Sequence, residues 1–163
     1  MCGDSPRKGT QQGRDRFALV STSQGLMALG GHNSYAREGQ SSTEIFSSQV
    51  GRWLPGPMMP SARFGHKALN YNDRIFVFGG EIDADQATIL LLNDFQSEWQ
   101  SIGRMANPVR MKFIALDYGN EAFLYGGKCE KASWSDMPSW AACDPMAEVF
   151  NFDTFQSTGF NCK

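Results

Sequence analysis

The sequence predicts an all-β protein assembled from three copies of one four-stranded antiparallel unit. An arginine, a short apolar run, a two-residue turn, a second apolar run and a double glycine recur three times. The glycine pairs are Gly30-Gly31, Gly79-Gly80 and Gly126-Gly127, and Arg14, Arg63 and Arg110 each stand sixteen residues before a first glycine. A period of 47 to 49 residues is the mark of a repeat architecture. The turn also keeps its place, because Ser23-Gln24, Asn72-Asp73 and Gly119-Asn120 lie seven and six residues before each first glycine. Seventeen glycines and seven prolines, with no long apolar run at helical spacing, favour many short strands joined by turns.

The middle copy shows each element most clearly. Strands are expected up to Tyr71 and from Arg74 to Phe78, and Asn72-Asp73 between them tolerates the positive φ of a tight hairpin. A third strand follows a variable stretch: Glu44-Ile45-Phe46, Thr88–Leu92 and Glu148–Phe152 in the three copies. A fourth is marked by Trp53 and Trp99, which stand 22 and 19 residues after their second glycine. In the third copy Phe155-Gln156-Ser157 matches Phe95-Gln96-Ser97, but Gly159 falls where tryptophan is due, so this outer strand is expected to be the weakest. The stretches from Leu54 to Arg63 and from Ile102 to Arg110 hold proline and read as connectors between sheets, because proline donates nothing to a ladder.

These residues resemble the Kelch repeat family. Met59, Arg63, Gly65, His66, Gly79, Gly80 and Trp99 fit its pattern as they stand, and the resemblance extends over residues 14 to 160. The first copy carries Arg16-Phe17 in place of Gly-His, and the last carries Lys112-Phe113. The resemblance implies a β-propeller with Kelch-type blades of four antiparallel strands, in which Gly30, Gly31, Gly79, Gly80, Gly126, Gly127, Trp53 and Trp99 build the blades. Closed propellers have roughly 4 to 8 blades. This chain supplies three, at about 14–57, 58–104 and 105–163, preceded by a polar stretch over 1–13 that reads as a flexible tail. The ring is therefore incomplete unless missing blades in a longer chain close it or a homodimer forms a six-bladed ring.

Composition excludes several function classes. Fifteen basic against seventeen acidic residues, with no basic run, argue against a nucleic acid partner. Apolar runs of about five residues are far below the roughly 20 that cross a membrane as a helix, and no apolar leader follows Met1, which points to the cytoplasm. Cys2, Cys129, Cys143 and Cys162 form no C-x-x-C pair and read as free thiols, with neither a metal site nor a cofactor expected. Cys129 and Cys143 bracket one loop and are the pair that would close a disulfide in an extracellular protein. The acidic alternation Glu81, Asp83, Asp85 lacks the glycine turn and distal glutamate of an EF-hand and reads as a solvated loop.

Two sets of residues remain as partner contacts. The resemblance places Arg14, Arg63 and Arg110 near the channel mouth, where guanidinium forks suit a carboxylate-bearing protein or peptide; the same residues could instead bond backbone carbonyls. The second set follows the double glycines: His32, Tyr35 and Arg37 in the first copy, and Trp134 and Trp140 in the long third loop. The expected function is a non-catalytic interaction scaffold. The resemblance also admits part of a ubiquitin-ligase substrate receptor or an actin-associated protein, an adhesion module, and, less favoured, a propeller enzyme such as a sugar oxidase or epimerase.

Overall fold

The computed structural model describes residues 9–80, 88–106, 113–127 and 146–161. The first blade has strands β1 (Ala18–Thr22), β2 (Gly25–Leu29), β5 (Thr43–Ser47) and β6 (Arg52–Pro55), with a small hairpin of β3 (His32–Asn33) and β4 (Glu38–Gly39) inserted after its glycine pair. The second has β7 (Lys67–Tyr71), β8 (Arg74–Phe78), β9 (Thr88–Leu92) and β10 (Gln100–Arg104). The third has β11 (Ile114–Tyr118), β12 (Glu121–Tyr125), β13 (Met146–Asn151) and β14 (Ser157–Asn161). Each blade is a four-stranded antiparallel sheet with its strands in chain order. β7 lies between β1 and β11, so the first strands form the inner wall.

The continuous apolar run Ile75-Phe76-Val77-Phe78 exists because the middle blade is covered on both faces. Successive side chains of a strand point to opposite sides. Ile75 and Val77 therefore join Ala18, Val20, Met27 and Leu29 of the first blade, with Leu90 and Leu92 beside them. Phe76 and Phe78 join Ile89 and Leu91 against Ala122, Leu124, Phe150 and Phe152 of the third blade. Two separate cores result, one at each junction.

The glycine pairs repeat their geometry as well as their letters. First glycines have φ of 54°, 62° and 73°, second glycines 108°, 99° and 106°. Both lie in the left-handed region that side chains disfavour. A Cβ at Gly31 would come within 2.8 Å of the Asp15 carbonyl oxygen, and one at Gly80 within 2.8 Å of the His66 Cβ. The second glycine thus lets the segments following Arg14 and Arg63 cross directly over the strand end.

The structure departs from the expected elements in three places. Residues 9–13 are not a free tail: the Gln11 and Gln12 amides donate to Glu44, and the Gln11 side chain donates to the Trp53 carbonyl at 3.0 Å. The fourth strands extend into stretches read as connector, with β6 including Leu54 and Pro55 and β10 including Ile102 to Arg104. Pro55 is tolerated because β6 is a sheet edge and this is its last residue. The third outer strand, β14, pairs with β13 over five residues and is no shorter than β10. Its backbone ladder does not depend on the tryptophan.

Candidate partner-binding face

β1 carries the chain away from its arginine and β2 brings it back to the glycine pair. The arginine segments and the post-glycine loops must therefore share one end of the blades. The turns Ser23-Gln24, Asn72-Asp73 and Gly119-Asn120 occupy the other. At the loop end Asp15 and His32 form an antiparallel bridge, with amide-to-carbonyl distances of 2.9 and 2.8 Å. Between blades, the Gly31 amide donates to the Arg63 carbonyl at 2.9 Å and the Gly65 amide to the Arg16 carbonyl at 2.8 Å.

Arg14 and Arg63 are buried and bond backbone carbonyls, the second of the two readings their spacing left open, and they do not form an exposed ring of guanidinium groups. The Arg14 side chain is 1% exposed, and Arg63 is 1% exposed. Arg14 Nη1 donates to the carbonyls of Gly30 at 2.7 Å and Ser42 at 3.0 Å. Arg63 Nη1 repeats this on Gly79 and Thr88, both at 3.1 Å, and its Nη2 donates to Ser61 Oγ at 3.2 Å. Each arginine thus ties its glycine pair to the start of the third strand through backbone carbonyls at the strand end. Arg14 also pairs with the buried Glu44 at 2.5 Å. Arg110, Trp134, Trp140, Cys129, Cys143 and the 81–85 acidic loop lie outside the described residues.

His66 belongs to the same architecture. It is 2% exposed between the first two blades, and desolvation, reinforced by the Arg63 guanidinium, lowers its pKa from 6.5 to about 3. The imidazole is neutral at physiological pH.

The remaining loop residues form a surface. Asn33 Oδ1 accepts from the amides of Tyr35 and Ala36 at 3.0 and 3.2 Å, and the Arg37 amide donates to the Asn33 carbonyl at 2.7 Å. Ser34 Oγ donates to Asp15 Oδ2 at 2.5 Å, bracing the hairpin against the segment after Arg14. This closed turn holds Tyr35 outward, 99% exposed. Beside it the Arg16 guanidinium lies 4.4 Å from the Phe64 ring centroid, and the His32 ring meets the same ring edge-on at 5.2 Å. Arg16 Nε also donates to Asp15 at 2.9 Å, and together with Ser34 this lowers the Asp15 pKa.

Asp15, Arg16 and Phe64 are contributors that sequence reasoning left out, although Arg16 carried a signal. It occupies the repeat position of Gly65, whose φ is 68°, and adopts the same left-handed backbone at 50°. A side chain kept where glycine is the unstrained choice points to a role outside folding. Arg16→Gly is expected to change stability by no more than about 0.5 kcal/mol, because relief of the strained φ offsets the lost cation–π contact. Urea unfolding at one protein concentration checks this.

Elsewhere the chemistry is sparse. Ser21, Asn70 and Asp117, all nine residues before a first glycine, line a concavity of about 670 Å³ on the inner wall. Among the described residues no three His, Cys, Asp or Glu side chains gather as metal ligands, and no helix is long and apolar enough to cross a membrane.

No protein-family model matches the chain. Kelch-like protein 41b of Danio rerio is 24% identical over 140 residues, spanning 85% of this chain and 21% of that protein. Kelch-like protein 33 of Homo sapiens is 36% identical over 70 residues, 42% of this chain and 13% of that protein. The chain thus spans about a fifth or less of the length of these curated relatives. Among solved structures, that of YjhT matches with a TM-score of 0.72 at 14% identity, over 90% of this chain and 52% of YjhT. The similarity to these Kelch-like proteins and to the YjhT fold agrees with the repeated arginine and double glycine in likening the chain to the Kelch-repeat family, and its three four-stranded sheets are the blades of a β-propeller.

Proposed function

We propose that the chain is a non-catalytic protein-interaction module whose contact surface is the loop end carrying Tyr35, Arg37, His32, Arg16 and Phe64. The observation that carries this reading is Tyr35: a large aromatic fully in solvent, on a turn whose backbone is hydrogen-bonded and braced by Asp15. Folding gains nothing from such a side chain, while interfaces draw much of their energy from pre-positioned tyrosine and arginine. The relatives' names, Kelch-like proteins, support a scaffold of this kind. The partner is a protein or peptide. Arg16 and Arg37 suit carboxylates within it, because a guanidinium pairs with them through two charge-assisted bonds.

Selection of binding peptides from a displayed library, followed by titration of the best sequence, tests the reading. Tyr35→Ala and Arg37→Ala are each expected to weaken binding about tenfold or more without moving the urea midpoint. Peptides whose affinity is indifferent to both substitutions would contradict the assignment.

A further inference from the structure

The first and third blades expose the two halves of a blade junction. Where the second and third blades meet, Phe76 and Phe78 of β8 receive Phe150 of β13, with ring centroids 5.8 and 5.3 Å apart. The repeat register puts Phe123 and Tyr125 at the positions of Phe76 and Phe78, three and one residues before a first glycine. Phe46 takes the position of Phe150, since it pairs across from Leu26 as Phe150 does from Ala122. Phe76 and Phe78 are fully buried, whereas Phe123 and Tyr125 are 42% and 52% exposed, and Leu116 beside them is 63% exposed.

The polar anchor of the junction repeats too. Glu148, buried on β13, accepts from the Ala106 amide of the preceding connector at 2.7 Å. Glu44, at the equivalent place on β5, already accepts from the Gln11 and Gln12 amides. The first blade's open side, with Leu19 and Leu26, is therefore dressed as the receiving half of a junction. An apolar sheet face of this size is costly in water.

We infer that a second copy of this chain covers both faces, blade three of each copy docking on blade one of the other to close a head-to-tail ring. A second copy is the occupant because one molecule carries both complementary halves at its two ends, so the contact is heterologous and must either close or polymerise. Closure fits the arc: three blades superimpose on 52% of YjhT, which leaves room for one further set of three. In the ring Phe46 of one copy packs against Phe123 and Tyr125 of its partner.

Light scattering at micromolar concentration tests this on the intact chain. The expected mass is twice the 18.1 kDa of one chain. Leu116→Asp on blade three and Leu26→Asp on blade one are each expected to give monomers, raising the dissociation constant at least about 100-fold, because a carboxylate would be buried without a partner. Mixing the two variants restores a dimer, because one of the two junctions then has both halves intact. β-type circular dichroism of each variant, and the recovery on mixing, separate loss of docking from loss of folding. A wild-type monomer would overturn the proposal and assign the faces to further blades of a longer chain. Open polymers, or a dimer indifferent to Leu26→Asp, would also overturn it.

Discussion

Arg63→Ala is expected to cost about 3–5 kcal/mol of stability, the largest effect of any single side chain described. The guanidinium is buried and supplies donors to two backbone carbonyls and one hydroxyl, and hydrogen bonds to a charged group contribute about 1.5–3 kcal/mol each. Truncation leaves the Gly79 and Thr88 carbonyls without these donors and opens a void at the end of β8. Against a total stability of about 5–15 kcal/mol, this removes about a fifth or more. In urea the midpoint is expected to fall by about 2 M at fixed protein concentration. Arg63→Lys should recover only part of the loss, since one ammonium cannot reproduce the planar fork that reaches both Thr88 and Ser61. An unchanged midpoint for Arg63→Ala would return this arginine to the list of partner contacts.

Acid should destabilise the protein before its carboxylates titrate, through His66. Its folded pKa of about 3 lies below the ordinary 6.5, so below pH 6.5 the unfolded chain binds a proton that the folded chain refuses. The stabilisation is complete above pH 6.5 and is lost as pH falls toward 3. Between pH 6.5 and 4.5 this costs on the order of 2 kcal/mol. Asp15, Asp73 and Asp94, whose pKa values are lowered by hydrogen bonds to neighbouring side chains and amides, act in the same direction only at lower pH. His66→Gln is expected to be less stable at pH 7, through lost packing, yet to show a flatter profile between pH 6.5 and 4.5. A slope equal to the wild type's would show that His66 is not the group responsible.

Much of the blade was readable from residue order alone, for a physical reason. A tight hairpin needs residues that accept positive φ at fixed places, and Asn72 and Asp73 have φ of 53° and 59°, where the register put them. Strands β7 and β8 follow at once, because the turn sets the pairing. Contacts between distant segments were not readable. Glu44 holds Gln11 from 33 residues away, so a polar stretch that looks solvated is in fact pinned. The arginines show the same limit: sequence reveals a fork-shaped donor at constant spacing, but not that its acceptors are the glycine carbonyl and the carbonyl at the start of the third strand. Arg16 was legible in principle, as the residue standing where the repeat wants glycine, and its meaning became clear only with Phe64 beneath it.

Arg14 and Arg63 build the blades, whereas the exposed loop residues are the proposed partner contacts. Affinity of a selected peptide for the folded fraction of Arg63→Ala, in the same buffer as the wild type, tests this division most directly. The account predicts wild-type affinity per folded molecule despite the lowered urea midpoint. Lost affinity in a variant of undiminished stability would contradict it.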